Sequence, residues 1–139
     1  MSPLPPRPCD SCPYRRDVPS GVWAEEEYAK LPPFDRGIVP SVFMCHQGDG
    51  HLCRGWLGCH GDKITVGLRI GVLSGILTPE QAAEAEGYQS PVPLFASGAE
   101  AAAHGAAEIE QPGEDAARLV EKVKRRQDAD TYTDYRRQR

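Results

Sequence analysis

The chain has 139 residues, 26% of them charged and 40% hydrophobic, with a formal net charge of -4; this is the ordinary range for one soluble domain with a modest core. No stretch approaches the roughly 20 apolar residues of a membrane span, and the proline-bearing N-terminus lacks the apolar run of a signal peptide, so a cytoplasmic location is expected. The 14 glycines and 13 prolines predict long irregular stretches.

The charge is unevenly spread. Residues 64–117 carry one basic residue against eight acidic ones, and residues 118–139 carry eight basic against four acidic. An acidic middle and a basic tail can bind a polyanion or fold back on each other.

In chain order, the first pattern is Cys9-Asp-Ser-Cys12-Pro13. Ser20 then reads as the N-cap of a helix over 22–31, with Ala24, Tyr28 and Leu31 on one face and Pro32 and Pro33 ending it. Ser41 to Cys45 reads as a short strand, and the glycine-rich run from Gly48 to Gly61 as a loop. From Ile64 to Leu77 a helical stripe of Ile64, Leu68, Val72 and Leu73 is weakened by three glycines. Thr78-Pro79-Glu80-Gln81 supplies an N-cap, a proline at the first helical position and a capping-box partner, which predicts a helix to about Glu86. Residues 90–95 are too proline-rich for helix, whereas Ser97 and Glu100 repeat the capping spacing before an alanine run ending at Gly105. A last helix is predicted over 114–127, with only Leu119, Val120 and Val123 to bury.

These elements predict an α+β fold, mainly helical and irregular: a small metal-nucleated domain with a C-terminal helix or tail. Its parts are a flexible N-terminus (1–8), a cysteine-rich metal-binding region (9–63), a helical region packed on it (64–112), and a C-terminal helix with a basic tail (113–139).

The metal expectation rests on five cysteines between positions 9 and 59. In a reducing compartment such a cluster reads as metal ligands rather than disulfides. A C-x-x-C knuckle turns both sulfurs to one side, so Cys9 and Cys12 make half of a tetrahedral site. Cys45 and Cys53, seven residues apart across Gly48 and Gly50, supply the other half. Cys59 and His51 are the alternates, while His46 points away from Cys45 and belongs to the surroundings. Four thiolates in a small domain hold zinc by preference, and an iron-sulfur cluster is the alternative, with Phe43 and Trp56 placed to shield it. The competing account treats some of these cysteines as small buried hydrophobes, which suits Cys59 best.

The run from Cys9 through Pro13-Tyr14-Arg15-Arg16-Asp17-Val18-Pro19-Ser20-Gly21-Val22 to Trp23, followed by Phe43-x-Cys45-His46-Gln47 and Cys53-x-Gly55-Trp56, resembles an uncharacterised cysteine-rich family of actinobacteria and their phages. Pro91 to Gly105 also resembles its longer members. The resemblance implies a natural compact unit and no particular activity.

No activated nucleophile is visible, so no catalysis is assigned. The expected function is that of a binding or regulatory module of unknown process with a protein partner, and the alternative is an iron-sulfur redox or sensor protein. Nucleic acid is a candidate ligand of the tail around Lys124, Arg125 and Arg126.

Overall fold

The structure, a computed structural model, describes residues 6–36, 42–44 and 52–137, without the side chains of Asp62 and of the residues after Arg126. The described residues form six α-helices: α1 (Glu25–Ala29), α2 (Arg54–His60), α3 (Thr65–Leu73), α4 (Pro79–Glu86), α5 (Gly98–Ala106) and α6 (Glu114–Arg137). Two 3-10 turns, Pro32–Arg36 and Gly61–Ile64, follow α1 and α2. The expected α+β class is therefore wrong. Among the described residues β-pairing is confined to two isolated antiparallel bridges, Arg15 with Leu94 and Met44 with Leu52. Of the expected strand, Met44 pairs only at that one position, and Ser41 and Cys45 lie outside the described residues.

The firmest local signal is realised atom for atom. Thr78 Oγ1 accepts from Gln81 N at 3.1 Å and Gln81 Oε1 accepts from Thr78 N at 2.9 Å, closing the capping box at the start of α4. Ser97 Oγ likewise accepts from Glu100 N, and α5 runs to Ala106. Ser20 behaves differently from expectation: its hydroxyl donates to Gly105 O and accepts from Glu108 N, so it ties the N-terminal segment to the end of α5. Relieved of that cap, α1 starts only after Ala24 and keeps Tyr28 as its buried residue.

The run expected to be a loop contains α2, capped by Cys53. Of the expected stripe on α3, Ile64 and Leu68 are buried, but Leu73 is 88% exposed. The inward face of α3 is turned by glycine: a side chain at Gly71 would meet Leu77 and Val42.

The main core joins these short pieces. Tyr14, Leu31, Leu57 and Leu68 are its largest fully buried side chains. Phe34 packs edge-on against Phe43 at 4.9 Å between centroids, and Phe43 against Tyr14 at 5.9 Å. Helix α5 approaches α1 so closely that a Cβ at Gly105 would lie 2.1 Å from a Tyr28 ring carbon, which only glycine avoids. The irregular Pro93–Phe95 segment hydrogen-bonds along Tyr14–Arg16, through Phe95 N to Tyr14 O and Arg16 N to Pro93 O. A separate small cluster of Val18, Val22 and Ala116, with Trp23, Leu119 and Val120 against it, lies under α6.

His60, at the end of α2, locks the pieces from within. Its Nδ1 meets Trp56 O at 2.9 Å and its Nε2 meets Asp35 Oδ1 at 2.8 Å. Trp56 O can only accept, so Nδ1 donates to it, and Nε2 faces the Asp35 carboxyl. Asp35 also accepts from Gly98 N and Ala99 N, so it holds α2 and the first turn of α5 together. Burial pulls its carboxyl upward, but the bonds from His60, Gly98 and Ala99 outweigh that and hold it below its usual range.

Candidate functional site

The Cys9–Cys12 segment folds as the knuckle its spacing predicts. Cys12 N donates to Cys9 O at 3.0 Å, and Arg15 N to Cys12 O at 3.1 Å, turning the chain tightly around Pro13. Ser11, fully buried, gives its carbonyl to Trp23 Nε1 at 2.7 Å. Cys9 is half-buried with its sulfur 4.0 Å from Ser11 Oγ, and Cys12 is buried.

Forty-one residues further on, Cys53 caps α2 and its sulfur accepts from Trp56 N at 3.4 Å. The Cys12 and Cys53 sulfurs lie 3.9 Å apart. Gly55 makes this approach possible, because a Cβ there would stand 2.3 Å from Cys12 Sγ and 2.7 Å from Tyr14 Cβ. Arg54, also buried, donates through its guanidinium to Arg7 O and Leu52 O, tying the start of α2 to the N-terminal segment.

The neighbouring Cys53 sulfur, together with burial, pushes the Cys12 thiol well above its ordinary range; Cys9 and the Tyr14 backbone pull the other way. Two buried sulfurs in contact resist becoming two thiolates, because like charges in low dielectric repel. A cation held between them reverses that balance, as metal ions do to coordinating thiols.

Cys9, Cys12 and Cys53 thus meet in one neighbourhood. Cys45 and His51, like His46, lie outside the described residues. Cys59 does not join them. Six residues beyond Cys53 it has turned to another side of α2, where burial, with Asp35 and Glu100 and against Lys63, pushes its thiol up to about 12. Among the described residues no group of three or more His, Cys, Asp or Glu side chains is arranged to hold a metal ion, so a fold nucleated by metal is not what they display. The core described above is closed by apolar and aromatic packing of its own.

Sequence reasoning missed Gly55, Arg54 and the Cys53 cap. A glycine between Cys53 and Trp56 looks like loop composition, and its role appears only once Cys12 is seen against it. No disulfide joins Cys9, Cys12, Cys53 and Cys59, the four cysteines of the described residues.

Elsewhere, Arg15 pairs with Asp17, and Arg16 lies over the Phe95 ring at 5.8 Å. Of the exposed basic residues Lys122, Lys124, Arg125 and Arg126 on α6, Lys122 and Arg126 pair with Asp10. No helix among the described residues is long and apolar enough to cross a membrane.

The sequence model of a family of unknown function, DUF6283, matches residues 4–133, nearly the whole chain, and the chain belongs to that family. No curated protein and no solved structure matches it.

Proposed function

Membership of a family of unknown function brings no activity with it, and we propose from the chain's own residues that this is a small metal-binding module whose ion is zinc. The reading is carried by one observation: two buried sulfurs 41 residues apart stand 3.9 Å from each other. Two thiolates bound at 2.3 Å to one tetrahedral ion are about 3.8 Å apart, so the pair needs almost no movement to bind. The hydrogen bond from Trp56 N to Cys53 Sγ suits a sulfur that carries negative charge.

Cys9 is the third ligand of this reading and Cys45 the fourth. Met44, the residue before Cys45, pairs with Leu52, the residue before Cys53, so the chain enters and leaves the 45–51 segment beside the site. Zinc would act here as a structural clamp between the knuckle and α2, with no open position for substrate when four thiolates bind. The module then serves as a binding or regulatory unit.

Elemental analysis of protein purified without oxygen tests this. About one zinc per chain is expected, lost in a Cys12→Ser variant, with no absorption in the visible. Iron with a visible band that bleaches on reduction would replace zinc by the iron-sulfur alternative. Metal retained undiminished by Cys12→Ser would defeat both.

A further inference from the structure

Both residues between Cys9 and Cys12 are held from outside the knuckle. Asp10 pairs with Lys122 at 2.5 Å and with Arg126 at 3.3 Å, two cations four residues apart and therefore on one face of α6. Ser11 gives its carbonyl to Trp23, and Trp23 packs both on the main core and in the small cluster under α6 with Ala116, Leu119 and Val120. Helix α6 thus reaches the knuckle twice, directly through its cations and indirectly through the indole. These attachments add to the apolar hold of Ala116, Leu119 and Val120 in a cluster separate from the main core.

We propose that α6 is a latch on the cysteine knuckle, so that docking of the helix and retention of the metal strengthen each other. The inference rests on the metal reading above. Fixing Asp10 and Ser11 fixes the separation and direction of the Cys9 and Cys12 sulfurs before an ion arrives, which lowers the cost of ordering them on binding. Linkage makes the effect reciprocal: an ion that keeps the knuckle in shape keeps Asp10 where Lys122 and Arg126 meet it. The pairs are about half exposed, so salt weakens the coupling.

The test loads the full-length chain with zinc and follows its transfer to an excess of a chromogenic chelator. The variant Lys122→Ala/Arg126→Ala should release zinc about threefold to tenfold faster than the parent, from two partly exposed ion pairs near the top of their usual range. High salt should shrink that difference. Lys124→Ala/Arg125→Ala removes the same charge from exposed positions of α6 and should leave the rate unchanged. Adding Asp10→Asn to Lys122→Ala/Arg126→Ala should change little more, because the shared interaction is already gone. Equal rates for the parent and Lys122→Ala/Arg126→Ala, or equal acceleration by the two double variants, would overturn the latch. Hydrogen exchange of the Cys12 amide, bonded to Cys9 O, reads the same grip without metal. A chain that takes up no zinc sinks the metal reading, and unchanged exchange in Lys122→Ala/Arg126→Ala then sinks the latch as well.

Discussion

The two hydrophobic clusters of this chain are built on opposite plans. The larger is assembled from short helices, 3-10 turns and irregular strands of backbone, yet it buries Tyr14, Leu31, Leu57 and Leu68 completely. The smaller lies under the longest and most regular element, α6, which among its described side chains buries only Ala116 and Val123. Regularity and anchoring are thus separate properties. A helix satisfies its own backbone wherever it lies, but it is held to the rest only by the apolar area it buries and the ions it pairs.

The contrast predicts how each part fails. Leu57→Ala empties a site in the middle of the main core and should cost about 2–5 kcal/mol, lowering the global denaturation midpoint. Val123→Ala should cost only about 1.5 kcal/mol, from two lost methyl groups, and should appear first as faster amide exchange within α6. Equal losses of global stability would show that α6 unfolds together with the main core.

Asp35→Asn should come next, at about 2 kcal/mol, since it weakens a charged bond to buried His60 and the bonds to the first turn of α5. The same group predicts an acid limb. Its folded carboxyl titrates below the usual 3.8, so its contribution is fully present above that value and is lost as pH falls from about 4 through the lower folded value. Thermal midpoints measured at pH 5 and pH 3 should separate more for the parent than for Asp35→Asn; parallel slopes would remove Asp35 from the account.

Gly55→Ala probes the site itself. The new methyl would press on the Cys12 sulfur and the Tyr14 side chain, costing about 1–3 kcal/mol and displacing Cys12 from Cys53. Metal content and stability should fall together. Lost stability with full metal content would place the strain in the core alone.

What could be read in advance follows the range of the interaction. The Thr78 box and the Ser97 cap are local, so four consecutive residues sufficed to announce them. Cys12 and Cys53 were both named from thiol chemistry as candidates for one site, but as members of different pairs, and their direct approach to 3.9 Å appears only in the fold. Ser20, by contrast, spends its hydroxyl on Gly105 and Glu108, contacts that no local rule contains. The segment around Gly55 and Gly58 looked like loop because glycine disfavours helix in isolation; here Gly55 admits a sulfur and Gly58 admits Leu94. The expected strand failed because Met44 has a partner at only one position among the described residues. Cys59, left open by spacing, is carried by α2 to a side where Asp35, Glu100 and Lys63 are its charged neighbours.

The smallest predicted effects come from the two caps, and they divide the chain in the same way as the clusters do. At an exposed position Thr78 closes the reciprocal box at the start of α4, so Thr78→Ala should cost about 1 kcal/mol in denaturant unfolding. Ser97 begins a helix whose first two amides, Gly98 N and Ala99 N, already donate to Asp35, so Ser97→Ala releases only the bond to Glu100 N and should cost about 0.5 kcal/mol. The difference belongs to Asp35 rather than to serine against threonine. In an Asp35→Asn background, where the shared carboxylate is gone, the cost of Ser97→Ala should rise toward that of Thr78→Ala. An unchanged cost in that background would mean that Ser97 and Asp35 act on α5 independently, and that the tie from α2 through His60 ends at Asp35.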